Sequence, residues 1–297
     1  MKSAIVLLVQ IVPLFLGGCQ ISINNMNNPL ISEYETPFHV PPFHQIKSKH
    51  FIQALNDAIY EHELEIDSIV NNDQQPSFEN TIKALDRSGS KLRNVQSIFS
   101  GIKSAHTTDD IQEIAGDFSK KVSEHFDDIY MNHDPFKKVE AVNTDKDRMN
   151  LSVEQLSLVE YYFKRFIRNG VNLSEEKKLE LREINQRLAE LSVLFDQNLL
   201  AETNNFKLIL DKKDQLAGLP EDIVSTAAAT ANQMKLNGKW VFTVHKPSMI
   251  PFLQYSEYPD LRKIIYDAYC NRGNNDNEYD NKAIIAEMTN LRVRKAH

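Results

Sequence analysis

Between residues 151 and 205 the apolar side chains recur at steps of three and four, the period of amphipathic helices. Ser152 with Gln155 three positions on is a capping-box pattern. Leu156, Val159, Phe163, Phe166 and Ile167 then fall on or near one face, and Gly170 supplies the stop. Leu173-Ser174-Glu175-Glu176 opens a second helix with carboxylates at the positive end of its dipole. Its seam is Leu181, Ile184, Leu188, Leu191 and Phe195. The pattern predicts a long antiparallel helical pair, with the rest of the chain organised around it.

Upstream, residues 48–70 predict a helix with Phe51, Leu55, Ile59, Ile66 and Ile69 on or near one face. Pro76-Ser77 breaks it and caps a helix over 78–87, and Ser-Gly-Ser at 88–90 interrupts the chain before a helix over 92–104. Thr108 caps another, whose core side is Ile111, Ile114, Phe118, Val122, Phe126 and Ile129. Residues 131–150 read as mixed loop and short helix. Downstream, 206–210 and 240–244 read as two short strands able to pair, flanking a helix over 221–236. Further helices follow over 247–255 and from Pro259, the latter with Leu261, Ile264, Ile265 and Tyr269 inward and Gly273 as its stop. A last one, over 280–297, carries Ile284, Ile285, Met288 and Leu291. The expected fold class is mainly α, a multi-helix body with a small two-stranded β piece.

Composition changes this picture little. The chain is 41% hydrophobic and 25% charged, ordinary for a globular protein. Its net charge of −7 argues against nucleic acid as a partner, which needs a basic stripe. Two cysteines, Cys19 and Cys270, permit at most one disulfide, so cross-links do not hold the fold. Residues 1–18 read as a signal segment: Lys2, then an apolar run over 4–16 too short to span a bilayer comfortably. Leu16-Gly17-Gly18-Cys19 looks like a bacterial lipobox in which Cys19 takes the lipid; the alternative is an ordinary secretory signal with Cys19 just past the cleavage point. The expectation is a lipoprotein anchored to a membrane of the bacterial cell envelope, on the periplasmic side. Residues 19–47 read as a tether and extended lead-in.

The letters carry more than the period. YYFKRFIRNGVNLSEEKKLELREINQRLAELSVLFDQNLLAETN over 161–204 resembles the zinc metallopeptidase family that includes thimet oligopeptidase, neurolysin and bacterial peptidyl-dipeptidase Dcp, nearest its Dcp branch. The resemblance extends through PSFENTIKALDRSG at 76–89, LAGLPEDIV at 216–224 and the long string at 239–281. It implies a helical enzyme with a deep channel between two domains that admits short peptides, and zinc-dependent release of dipeptides from their C-termini. It also implies that residues 48–236 form the helical N-terminal domain and 237–297 begin the catalytic-domain region. The C-terminal catalytic half, with the zinc, is then missing here and lies further along a longer chain.

Such a zinc site takes two His four residues apart on one helix face, with a Glu after the first as general base. His62-Glu63-Leu64-Glu65-Ile66 begins like that motif but has Ile66 where the second ligand must stand, and its carboxylates read as a solvated face. His39 and His44 are five apart with no acid in register. His106, His125, His133 and His245 have no His or Cys at ligand spacing, and His297 is terminal. No catalytic, cofactor-binding or metal residue is therefore assigned, and this chain alone is not expected to bind zinc. Cys270 reads as a buried structural thiol, Trp240 and Tyr161-Tyr162-Phe163 as core, and the Asn-rich run at 274–278 as a helix–helix connection rather than a calcium loop. The expected function is the N-terminal portion of a zinc-dependent peptidyl-dipeptidase or oligopeptidase acting on short peptides, inactive as residues 1–297 alone. The alternative is a non-catalytic envelope lipoprotein that binds peptides or a partner protein.

Overall fold

The computed structural model describes residues 28–296; the signal segment, the lipobox with Cys19, and His297 lie outside the described residues. Helix α1 (Ser48–Val70) is followed by a π turn (Phe78–Ile82) that runs into α2 (Lys83–Arg87), then α3 (Ser90–Ala105), α4 (Asp109–Tyr130) and α5 (His133–Asp145). Next come α6 (Val153–Arg168), α7 (Glu175–Asn205), β1 (Leu208–Leu210), α8 (Glu221–Gln233), β2 (Trp240–Phe242), α9 (Lys246–Tyr255), α10 (Pro259–Cys270) and α11 (Lys282–Ala296). The fold is mainly α with one small antiparallel sheet.

Local chemistry sets the helix starts. Ser77, Thr108, Ser152 and Ser174 each accept a backbone N–H of the first turn they precede, satisfying donors that have no helical partner. Gln155 returns the bond to Ser152, completing the box. Asn132 does the same work for α5, the short helix expected within 131–150. Its Pro135 sits in the first turn, where a missing N–H costs nothing. At the end of α6, Gly170 has φ +89°, and its N–H donates to Ile167 O while Val171 N–H donates to Phe166 O. A Cβ at Gly170 would lie 2.8 Å from both Leu173 and Leu181. Gly170→Ala is expected to destabilise the chain by about 1–2 kcal/mol, read as a lower urea midpoint.

Packing departs from the expected antiparallel pair. Helix α6 lies on α5 and the π turn, whereas α7 lies on α4 and α11. The Gly170 turn redirects the chain, so consecutive helices serve different layers. Val159, Tyr162 and Phe166 of α6 enter a cluster with Ile82, Phe136 and Val139. Phe51 and Leu55 of α1 pack with Leu92 and Phe99 of α3 and Phe118 of α4 in a second. Ile184 and Leu191 of α7 meet Ile284 and Leu291 of α11 in a third. Tyr161, Ile167, Ile264 and Ile285 are exposed where the pattern places them inward.

The strands pair antiparallel, with Leu208 opposite Phe242 and Leu210 opposite Trp240. Helix α8 lies on β2, and Leu210, Leu216, Phe242, Phe252 and Ile265 share one apolar cluster. Residues on both sides of position 237 thus belong to one packed unit.

Candidate functional site

The chemistry-bearing side chains that the fold brings together are His62 of α1 and His125 of α4. They are 63 positions apart in sequence and 2.8 Å apart in space, from His125 Nε2 to His62 Nδ1. Both are buried, at 7% and 3% exposure, so His62 does not lie on the solvated face its acidic neighbours suggested. The reason is helical phase: His62 falls in line with Leu55 and Ile66, while Glu63 beside it is exposed.

The hydrogen bonds assign the tautomers. Ser88 Oγ donates to Leu85 O at 2.8 Å, so its proton is committed. His62 Nε2, 3.1 Å from Ser88 Oγ, must therefore be the N–H donor. Its Nδ1 is then an acceptor, and His125 Nε2–H donates to it. His125 Nδ1 is left as a bare lone pair with no hydrogen-bond partner, 3.9 Å from Glu63 Oε1. Burial pushes both rings down to about 4; Arg93 adds to this at His62, and His62 itself at His125, where Asp128 pulls the other way. Both rings are neutral at pH 7. The Ser88–His62–His125 array resembles a nucleophile with its base, but Ser88 is buried and its proton points at a carbonyl. It is a structural relay between α1, α4 and the turn at Ser88.

That turn needs Gly89, which has φ +68°, and a Cβ there would meet the His62 ring at 2.8 Å. Its N–H donates to Glu65 Oε2 at 2.6 Å. On the opposite side of α4, Asp127 is buried with Oδ1 accepting from Asn185 Nδ2 at 2.7 Å and Oδ2 unpartnered. Burial raises its carboxyl to about 6, against the hydrogen bond from Asn185 and the charges of Arg182 and Lys295. Lys295 of α11 donates to Asn185 Oδ1, so α4, α7 and α11 are joined by one polar chain.

A second polar centre forms where α7 ends. Glu202 is buried and accepts from Gly273 N–H, from Asn275 Nδ2 at 2.9 and 3.0 Å, and from Asn277 Nδ2 at 2.6 Å. The Asn-rich run is thus a helix–helix connection whose amides grip a carboxylate. Cys270 is exposed rather than buried. The inward stripe of α10 is Leu261, Ile265 and Tyr269, and the next residue turns about 100° away from it.

The resemblance implies zinc, an ion that needs at least three protein ligands converging on one point. His62 and His125 spend three of their four ring nitrogens on the relay, and Glu63 is the nearest carboxylate to the fourth. Among the described residues no group of three or more His, Cys, Asp and Glu is placed to hold a metal ion. These residues do not fit zinc.

Known proteins give the chain its relatives. It is 32% identical over 269 residues to dipeptidyl carboxypeptidase of Escherichia coli, covering 91% of this chain and 40% of that protein. It is 29% identical over 278 residues to oligopeptidase A of Haemophilus influenzae, covering 92% and 40%. A thimet-like oligopeptidase of Dictyostelium discoideum matches 65% of the chain at 24% identity. No family model matches. The class defined by the fold is a mainly α body with one antiparallel strand pair, and its relatives are peptidases. Its homologues are dipeptidyl carboxypeptidase and oligopeptidase A, of the thimet-oligopeptidase family. The chain spans about two-fifths of the length of these relatives.

Proposed function

We propose that the chain is a helical portion of a zinc-dependent peptidyl-dipeptidase or oligopeptidase and forms part of the wall along which short peptides are selected. The observation that carries this is the 32% identity to dipeptidyl carboxypeptidase across nine-tenths of the chain. The described residues do not fit zinc, so in this reading the metal and its general base come from polypeptide beyond them, and residues 28–296 alone hydrolyse nothing. Exposed Leu179 and Leu194 on α7, with Ile285 and Val293 on α11, offer apolar surface for that remainder to cover. The same reading keeps Cys19 as the lipid-bearing residue and puts the protein on the periplasmic side of a bacterial envelope.

The test is the protein extracted from its native membranes. A species well above 34.1 kDa that contains zinc and releases C-terminal dipeptides until a chelator is added is the expected result. A species near that mass that binds peptides intact would instead establish the non-catalytic lipoprotein.

A further inference from the structure

The segment between Glu35 and α1 carries surface that the peptidase reading does not use. Phe38 is 96% exposed, Phe43 52% and Val40 46%, three apolar side chains within six positions. The backbone holds the tip of this loop in a single turn of 3-10 helix (Pro37–His39), with Phe38 and His39 both at positive φ. Thr36 Oγ1 donates to Val40 O across the turn, and His39 Nδ1 lies 2.9 Å from Tyr34 O. Two consecutive non-glycine residues in the left-handed region are costly, and no apolar burial within the described chain repays it at Phe38. Behind Phe43 the apolar surface continues into an open groove of about 1170 Å³ between α1, α3 and α4, walled by Ile46, Phe51, Ile98, Ile102 and Ile111.

Charge decides what fits there. From Thr36 to Asn56 there is no Asp or Glu, while the stretch contains Lys47, Lys49, His39, His44 and His50, in a chain whose net charge is −7. Lys47 and Lys49 are exposed at the edge of the groove, where Asp110 is the one lining carboxylate and accepts from Ser48 Oγ. Exposed aromatic rings flanked by lysines suit a bilayer interface, with rings at the acyl boundary and ammonium groups on phosphates. A second copy of this acidic chain would also set carboxylates against these lysines, but Phe38, 96% exposed, is not part of the groove wall that such a copy would cover. Among the described residues no helix is long and apolar enough to cross a membrane.

We infer that residues 36–49 seat the protein on an anionic phospholipid surface, with Phe38 and Phe43 inserted and Lys47 and Lys49 against lipid phosphates. This requires neither the peptidase reading nor the lipid on Cys19, and its test measures no hydrolysis.

The test uses the full chain with Cys19→Ser, so that no acyl anchor contributes; the leader is common to every variant and cancels between them. Vesicles of mixed phosphatidylglycerol and phosphatidylcholine should pellet this protein far better than pure phosphatidylcholine, and less so at high salt. Phe38→Asp with Phe43→Asp should weaken partitioning at least about tenfold. Each of Lys47→Glu and Lys49→Glu should weaken it about fivefold or more. Trp240 is the sole tryptophan, so Phe38→Trp with Trp240→Phe gives a reporter at the loop that brominated lipid should quench. Equal pelleting of the Asp variant and its parent, or an unquenched tryptophan at 38, overturns the inference. So does concentration-dependent self-association that the Asp variant abolishes, which would give this face to a second copy.

Discussion

Acidification from pH 6.5 to 4 will remove on the order of 3 kcal/mol of folding stability through the His62–His125 pair, seen as a falling urea midpoint. Both rings sit at about 4 in the folded chain, below the ordinary histidine value, because burial penalises the cation. The unfolded chain therefore binds more protons in this window. Stability present above pH 6.5 is lost as the pH falls through the folded value. The first proton belongs on His125 Nδ1, the lone pair without a partner, facing Glu63 at 3.9 Å. Asp127 acts in the opposite sense. Its carboxyl is raised to about 6, so its contribution is full below the ordinary Asp value and is lost as the pH rises through 6. The two effects offset each other in part, and substitution separates them. Asp127→Asn should gain about 1–2 kcal/mol at pH 7.5, keep the Asn185 bond, and expose a steeper acid limb. His62→Leu with His125→Leu removes both rings together, leaving no orphaned ring nitrogen, and should flatten that limb. An unchanged acid slope in the double variant would sink the assignment.

What the chain disclosed in advance follows from the range of each interaction. Caps are decided within four residues, so Ser77, Thr108, Ser152 and Ser174 were legible, as was the pairing of two short strands. Periodicity tells a helix which face to bury but not against what. The seam of α7 was found while its partners, α4 and α11 rather than α6, were not. The short helix expected within 131–150 is α5, which Asn132 starts, and only its bounds were not legible. The polar centres were invisible for the same reason as the packing: His62 meets His125 63 positions on, and Glu202 meets Gly273 71 positions on. A buried His and an exposed one differ by one step of helical phase. The peptidase kinship was readable because long strings of letters, unlike spacing, are specific to a family.

Breaking the Glu202 clamp should loosen one region and spare another. Burial pushes this carboxyl up, but Asn275, the Gly273 N–H and Asn277 outweigh it and hold it below the ordinary range. Asn198 and the Phe195 carbonyl add a second tie to α7 through Asn281, at 3.0 and 3.2 Å. Glu202→Leu leaves one backbone N–H and two side-chain amides without their acceptor, at an expected loss of about 2–4 kcal/mol. Glu202→Gln keeps the shape but turns one acceptor into a donor among donors, and should lose roughly half as much. A depressed carboxylate stabilises above its unfolded value and loses that contribution as pH falls, so both variants should also remove part of the acid sensitivity. Hydrogen exchange locates the damage. Amides of residues 272–281 and the first turns of α11 should exchange faster, because the clamp sets where that helix starts. Helix α11 keeps its apolar contacts with α7 and the Arg187–Glu287 pair, at 2.6 and 2.9 Å, so its later turns should change less. Helices α1 and α3 share no partner with Glu202 and should be untouched. Uniformly faster exchange across α1 and α3 would show that the clamp belongs to the global core rather than to a local unit.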